Sequence, residues 1–209
     1  VEGALIVIFV LVLFLGNLRA GLIVASAIPL SMLFALALMR IFGVSANLMS
    51  LGAIDFGLIV DGAVIIVEAS LYFLEHNKST KRLTQLEMDV AVENSAKKMM
   101  SSAAFGQIII MIVYFPILSL VGIEGKMFGP MAITVSFAII GAMILSLTYI
   151  PMMSALFLPK HISHKKTFSD KMMDFLYGKY KPLLEKVIAI KYKVVGLTVA
   201  LLLITVFIF

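Results

Sequence analysis

Apolar runs about as long as the roughly 20 residues that a helix needs to cross bilayer hydrocarbon dominate this chain. They fall at about 1–16, 20–39, 47–73, 100–121 and 129–158, and a sixth starts near residue 194. Hydrocarbon offers the backbone no hydrogen-bond partners, so a series of such runs must satisfy its N–H and C=O groups internally, as helices. The expected fold is therefore all-α, a polytopic transmembrane helix bundle. Its 62% hydrophobic content and mean hydropathy of +1.10 exclude an ordinary soluble domain, where about half the residues are apolar. The first run lacks a basic n-region and a small-residue cleavage site, so it does not read as a secretory signal. The chain begins at Val1 and stops at Phe209 inside an apolar run, which reads as a piece of a longer protein.

Charge sets the expected topology. If successive loops alternate sides, Arg19, Lys78, Lys81, Arg82, Lys97, Lys98 and the nine lysines from Lys160 to Lys193 share one side. That is 15 of the 17 basic residues, with only Arg40 and Lys126 opposite. The positive-inside rule places the basic loops in the cytoplasm. The net charge of +5 thus reports topology, and a nucleic-acid partner has no support.

Residues 1–158 are expected to hold five spans and a short cytoplasmic helix near 80–98. Its start is marked by the capping-box pattern Thr84-Gln-Leu-Glu87. Residues 159–193 form a basic linker in which Phe168, Met172, Leu176, Tyr180, Leu183 and Val187 recur at helical spacing. That pattern predicts an amphipathic helix on the inner membrane face, kinked or interrupted at Pro182. Residues 194–209 begin a sixth span. Pro29, Pro116 and Pro151 lie within or near the ends of spans and read as kinks.

Three carboxylates, Asp55, Asp61 and Glu68, interrupt the third run. An acid at the centre of a membrane helix costs about 2.5–3.5 kcal/mol on insertion scales, so three in one segment need a function. On a helix, Asp61 and Glu68 share a face about 10 Å apart along the axis, with Asp55 about 9 Å beyond and rotated by about 120°. Such a ladder, with Asp55 outward and Glu68 toward the cytoplasm, reads as an ion or proton relay. Gly52, Gly57, Gly62 and Ala63 around it allow a partner helix or a file of water to approach closely.

Other polar groups carry less. With no cysteine, disulfides, thiolate metal sites and CxxC redox chemistry are excluded. His161 and His164 are three residues apart but read as solvated interfacial residues, and His76 as a loop residue. The 14 methionines read as adaptable packing rather than a thioether path for soft cations. Gln107, Thr134, Ser136, Ser146 and Thr148 are expected to hydrogen-bond between helices. No metal ligand or cofactor site is assigned.

The segment Asp55-Phe-Gly57, Asp61-Gly-Ala63, Val67-Glu68 closely resembles the fourth transmembrane helix of the CzcA-like heavy-metal efflux pumps of the resistance-nodulation-division superfamily. It departs at Ala69, where those pumps usually carry Asn. Phe14-Leu-Gly-Asn-Leu-Arg19, Ile28-Pro-Leu-Ser31, Gly122-Ile-Glu-Gly-Lys-Met-Phe128, Pro130-Met-Ala132 and Leu147-Thr148 agree. The resemblance covers essentially the whole chain, from about the second to the start of the seventh helix. It implies one half of a pseudo-symmetric transporter domain, the basic linker joining the halves.

The resemblance further implies a multi-pass protein of the bacterial inner membrane. Its activity would be secondary, proton-antiporting export of a metal cation. It would work as a homotrimer with a periplasmic adaptor and an outer-membrane channel. Asp55, Asp61 and Glu68 would form the proton relay, their cationic partners on helices outside this chain. Pairing Asp55 with Asp61 favours divalent zinc, cobalt, cadmium or nickel over monovalent copper or silver. Gly62 stands where drug pumps tend to have a second aspartate. The rival readings are a copper, silver or drug pump of the same architecture, and a non-transporting sensor or scaffold module, which would not require three intramembrane acids.

Overall fold

The computed structural model describes residues 2–45, 52, 54–76, 83–159 and 168–208. Among them there is no strand. Two compact units divide the chain, residues 1–165 and 166–209.

Among the described residues the first unit holds six helices, and local chemistry sets most of their ends. Helix α1 (Glu2–Leu15) stops at Gly16, whose φ of 61° is in the left-handed region. Asn17 then caps α2 (Leu18–Phe42), its Oδ1 accepting the N–H groups of Arg19 at 3.0 Å and Ala20 at 3.4 Å. Gly43, with φ 67°, closes α2 by donating its N–H to the Met39 carbonyl. Helix α3 (Phe56–His76) follows. Helix α4 (Gln85–Leu118) begins at the capping box foreseen at Thr84: the Glu87 N–H donates to the Thr84 hydroxyl, and the Thr84 N–H to Glu87 Oε2 at 2.7 Å.

Two expectations about continuity change. The polar stretch before residue 100 is no separate helix but the first turns of α4, a single 34-residue helix about 51 Å long that outreaches the bilayer core. The expected span 129–158 is instead divided between α5 (Gly122–Leu147) and α6 (Tyr149–Phe157). Pro151 has no N–H for the Leu147 carbonyl, so the ladder breaks there, and Thr148 at the junction is a distorted helical residue with φ −117° and ψ −64°. Pro29 and Pro116 lie inside helices that continue through them.

Small side chains set the packing. The buried face of α2 includes Ala20, Gly21, Ala27, Ser31 and Ala35; that of α5 includes Ala132, Ala138, Gly141 and Ala142. Such faces let backbones approach closely, which substitutes for the hydrophobic drive that lipid removes. A Cβ added at Gly21 would lie 2.9 Å from the Val12 Cα of α1, and one at Gly141 would lie 2.6 Å from the Phe34 ring. Large apolar residues such as Phe9, Leu33, Phe105 and Ile109 point outward, as lipid-facing positions require.

The intramembrane hydroxyls mostly do not bond between helices as expected. Those of Thr134, Ser136 and Thr148 donate to carbonyls four residues back on their own helix, at 2.6–2.7 Å. That local bond is available without a partner helix. Interhelical bonds come instead from Ser26 to Tyr149 at 3.3 Å and from Gln85 to the Ala155 carbonyl at 3.0 Å.

The second unit contains α7 (Phe168–Ala189) and α8 (Lys191–Ile208). Helix α7 continues through Pro182, where an interruption had been one expectation, and Leu176, Tyr180, Leu183 and Val187 are exposed on it. Helix α8 buries none of its residues. By length and composition α2, α3, α4, α5 and α8 could each cross a membrane.

Candidate functional site

Helix α3 presents two of the three acids together. Ile59, Val60, Gly62, Ala63, Ile66, Val67 and Ser70 are buried, whereas Asp61, Glu68 and Tyr72 are exposed. Seven residues are nearly two turns, so Asp61 and Glu68 lie on one face, about 10 Å apart along the axis. That face is the side of α3 that the described residues leave uncovered, in a helix whose other residues from Phe56 to Ala69 are all apolar. Two acids on such a face are open to water and to groups brought against it.

Asp55 sits at the N-terminal end of the same helix. It precedes α3, which begins at Phe56, by one residue, where the ladder expectation had placed it within the helix. Its Oδ1 accepts the Gly57 N–H at 2.9 Å, so the carboxylate caps the helix. The position also suits a negative charge, which favours the positive end of the helix dipole. Gly57 helps: a Cβ there would lie 3.3 Å from the same oxygen.

Helix α4 lines the flank of the acid face. Gln107, only 2% exposed, lies directly over Gly62, the residue after Asp61. A Cβ on Gly62 would sit 2.8 Å from Gln107 Nε2 and 2.9 Å from its Oε1. Neither amide atom has a hydrogen-bond partner among the described residues. Each buried unsatisfied polar group costs about 1–3 kcal/mol, so this amide is expensive to keep for packing alone. The expected interhelical contact is present at Gln107, without the expected hydrogen bond; Ser146 is likewise unpartnered among the described residues.

Around Glu68, α3 and α4 enclose a groove of about 450 Å³ that Tyr72, Asn94, Ser95 and Lys98 also line. The resemblance implied cationic partners on helices outside this chain; Lys98 is a cation of this chain that shares a groove with Glu68. The neighbouring Lys97 turns instead to Glu93, at 2.6 Å. Lys98 and Gln107 were visible only as a loop charge and an isolated polar residue. The α3–α4 register that brings them to the acids is a tertiary fact.

Among the described residues no three His, Cys, Asp or Glu side chains converge as a metal site. His161 and His164 lie outside the described residues, as does the side chain of His76.

Comparison with known proteins gives the context for this helix. CzcA, the cobalt-zinc-cadmium resistance protein of Cupriavidus metallidurans, is 50% identical over 190 residues, which is 90% of this chain and 18% of CzcA. NccA, the nickel-cobalt-cadmium resistance protein of Alcaligenes xylosoxydans xylosoxydans, is 44% identical over 192 residues, again 90% of this chain and 18% of the relative. The chain thus spans about a fifth of the length of these relatives. A crystal structure of a heavy metal efflux pump superimposes with a TM-score of 0.61 at 43% identity, over 72% of this chain and 14% of that one. The model of the AcrB/AcrD/AcrF family matches residues 1–209, and the chain belongs to that family, among its heavy-metal efflux members of the resistance-nodulation-division superfamily.

Proposed function

We propose that this chain carries the proton-relay helix of an inner-membrane pump that exports divalent heavy-metal cations in exchange for protons. The observation that carries the reading is the pair Asp61 and Glu68 on the uncovered face of a helix whose other residues from Phe56 to Ala69 are all apolar. Protons enter from the periplasmic side near Asp55, are taken up at Asp61 and leave through the groove at Glu68 and Lys98. Protonation removes the charge on Asp61 and weakens its pairing with a cation on a helix outside this chain. The bundle then shifts against its pseudo-symmetric half, and that motion drives cation capture in the periplasmic region.

The resistance names of CzcA and NccA, which cover cobalt, zinc, cadmium and nickel, favour a divalent cargo. As a pump of this family the full protein works as a homotrimer with a periplasmic adaptor and an outer-membrane channel. Fifteen of the 17 basic residues fall on the proposed cytoplasmic side.

The test is a resistance panel. The full-length gene, expressed in a metal-sensitive bacterial host, is expected to raise tolerance to one or more of zinc, cobalt, cadmium and nickel, and Asp61→Asn to remove that gain. Tolerance confined to copper, silver or organic drugs would assign the cargo differently. Wild-type tolerance in Asp61→Asn would end the relay reading.

A further inference from the structure

We propose that Gln107 is a positioning residue for Asp61: its buried amide, seated on Gly62, holds the Asp61 carboxyl in its working orientation, directly or through one water. This inference rests on the relay reading of Asp61 and extends it to a second helix. Three observations converge on it. The amide is 2% exposed and both its polar atoms lack partners among the described residues. It is aimed at the backbone of α3 at Gly62, so closely that any side chain there would overlap it. Gly62 directly follows Asp61, with Cα atoms about 3.8 Å apart, so the amide is seated against the stretch of backbone that carries the acid.

The chemistry suits a site that changes protonation. An amide carries two N–H donors and a carbonyl acceptor. It can donate to an ionised carboxylate and accept from the O–H of a neutral carboxylic acid without moving. A hydroxyl or a lysine would not match both states equally well in one fixed pose. Gly62 is then required as the seat for the amide, and α4 supplies polar groups to both acids, with Gln107 beside Asp61 and Asn94, Ser95 and Lys98 beside Glu68. Among the described side chains, the other charged groups near the acid face are Asp55 just before α3, Glu68 on it and Lys98 on α4. Arg19, Arg40, Glu124 and Lys126 of the packed helices α2 and α5 lie toward helix ends.

The test uses the full-length pump in liposomes, driven by an imposed proton gradient, with whichever of zinc, cobalt, cadmium or nickel gives the highest turnover. Gln107→Met keeps the volume and removes the amide. The expected result is a turnover about tenfold lower and a pH midpoint of transport moved by about one unit. The KM for the cation is expected to change by less than about twofold, since the metal site lies elsewhere. Gly62→Ala, which displaces the amide, is expected to show the same pH displacement, and the double variant no more than either alone. A wild-type pH profile and turnover in Gln107→Met would overturn the proposal. Should that variant fail to accumulate in the membrane, Gly62→Ala decides in the same way. Asp61→Asn, run alongside, separates the two claims. An inert Asp61→Asn beside a wild-type Gln107→Met removes only this inference; an active Asp61→Asn removes the relay and this inference together.

Discussion

The capping role of Asp55 can be separated from any role of its charge in transport by two substitutions. Asn keeps an oxygen that accepts the Gly57 N–H, now bonded at 2.9 Å, and removes the charge. Ala removes both. Asn and Asp rank together as N-caps, whereas loss of the cap to Ala costs about 1 kcal/mol. Loss of the charge–dipole interaction adds about 0.3–1 kcal/mol in both variants. The difference between them is therefore about 1 kcal/mol, which opens the first turn of α3 about fivefold more often. Hydrogen exchange read by mass spectrometry on the peptide covering Phe56–Val60 of the full-length pump measures that opening directly. Asp55→Ala is expected to exchange about fivefold faster there than Asp55→Asn. If the charge also serves the relay, both variants lose transport although only one loosens the helix. Equal exchange in the two variants would refute the capping geometry. Wild-type transport in Asp55→Asn would confine Asp55 to that structural role.

Two further predictions concern the frame around the site. Gly21→Ala places a methyl 2.9 Å from the Val12 backbone, where no rotamer can relieve the overlap; overpacking of about 1–3 kcal/mol exceeds the helix-propensity gain of about 1 kcal/mol, so the detergent-solubilised pump should lose its folded peak at a lower temperature. Gly106→Ala, which meets nothing within 4 Å, is the matched control and should not lower it; equal behaviour would refute the close approach of α1 to α2. Thr84→Ala removes the capping box of α4 and should cost about 1 kcal/mol, seen as faster exchange confined to the amides near Gln85–Glu87. Exchange unchanged there would mean that tertiary contacts, not the cap, hold that end.

What the sequence made legible, and what it did not, divides along physical lines. Asp61 and Glu68 were assignable to one face because helical period alone fixes their angle. The start of α4 at Thr84 was readable for the same reason, since a capping box is a local hydrogen-bond pattern. Asp55 was misplaced into the helix because apolar character runs unbroken across its start, and hydropathy does not see backbone geometry. The signal was present: an Asp with Phe56 and Gly57 after it is a sound N-cap candidate. The division between α5 and α6 was likewise written in Pro151, which has no N–H to donate to the Leu147 carbonyl. Gln107 on Gly62 and Lys98 beside Glu68 were not readable, because they depend on how α3 and α4 are registered against each other. Thr134 and Ser136 were given interhelical roles that their own carbonyls four residues back satisfy first.

The central claim is that a proton on Asp61 couples the gradient to cation export. The most direct measurement is proton uptake and cation flux, recorded together, in liposomes holding the full-length pump or its Asp61→Asn variant. Asn keeps the size and polarity of the side chain and cannot ionise. Coupled fluxes in the wild type, with both abolished in the variant while the variant still inserts and assembles, are the predicted result. Proton-driven cation flux in Asp61→Asn at the wild-type rate would contradict the account.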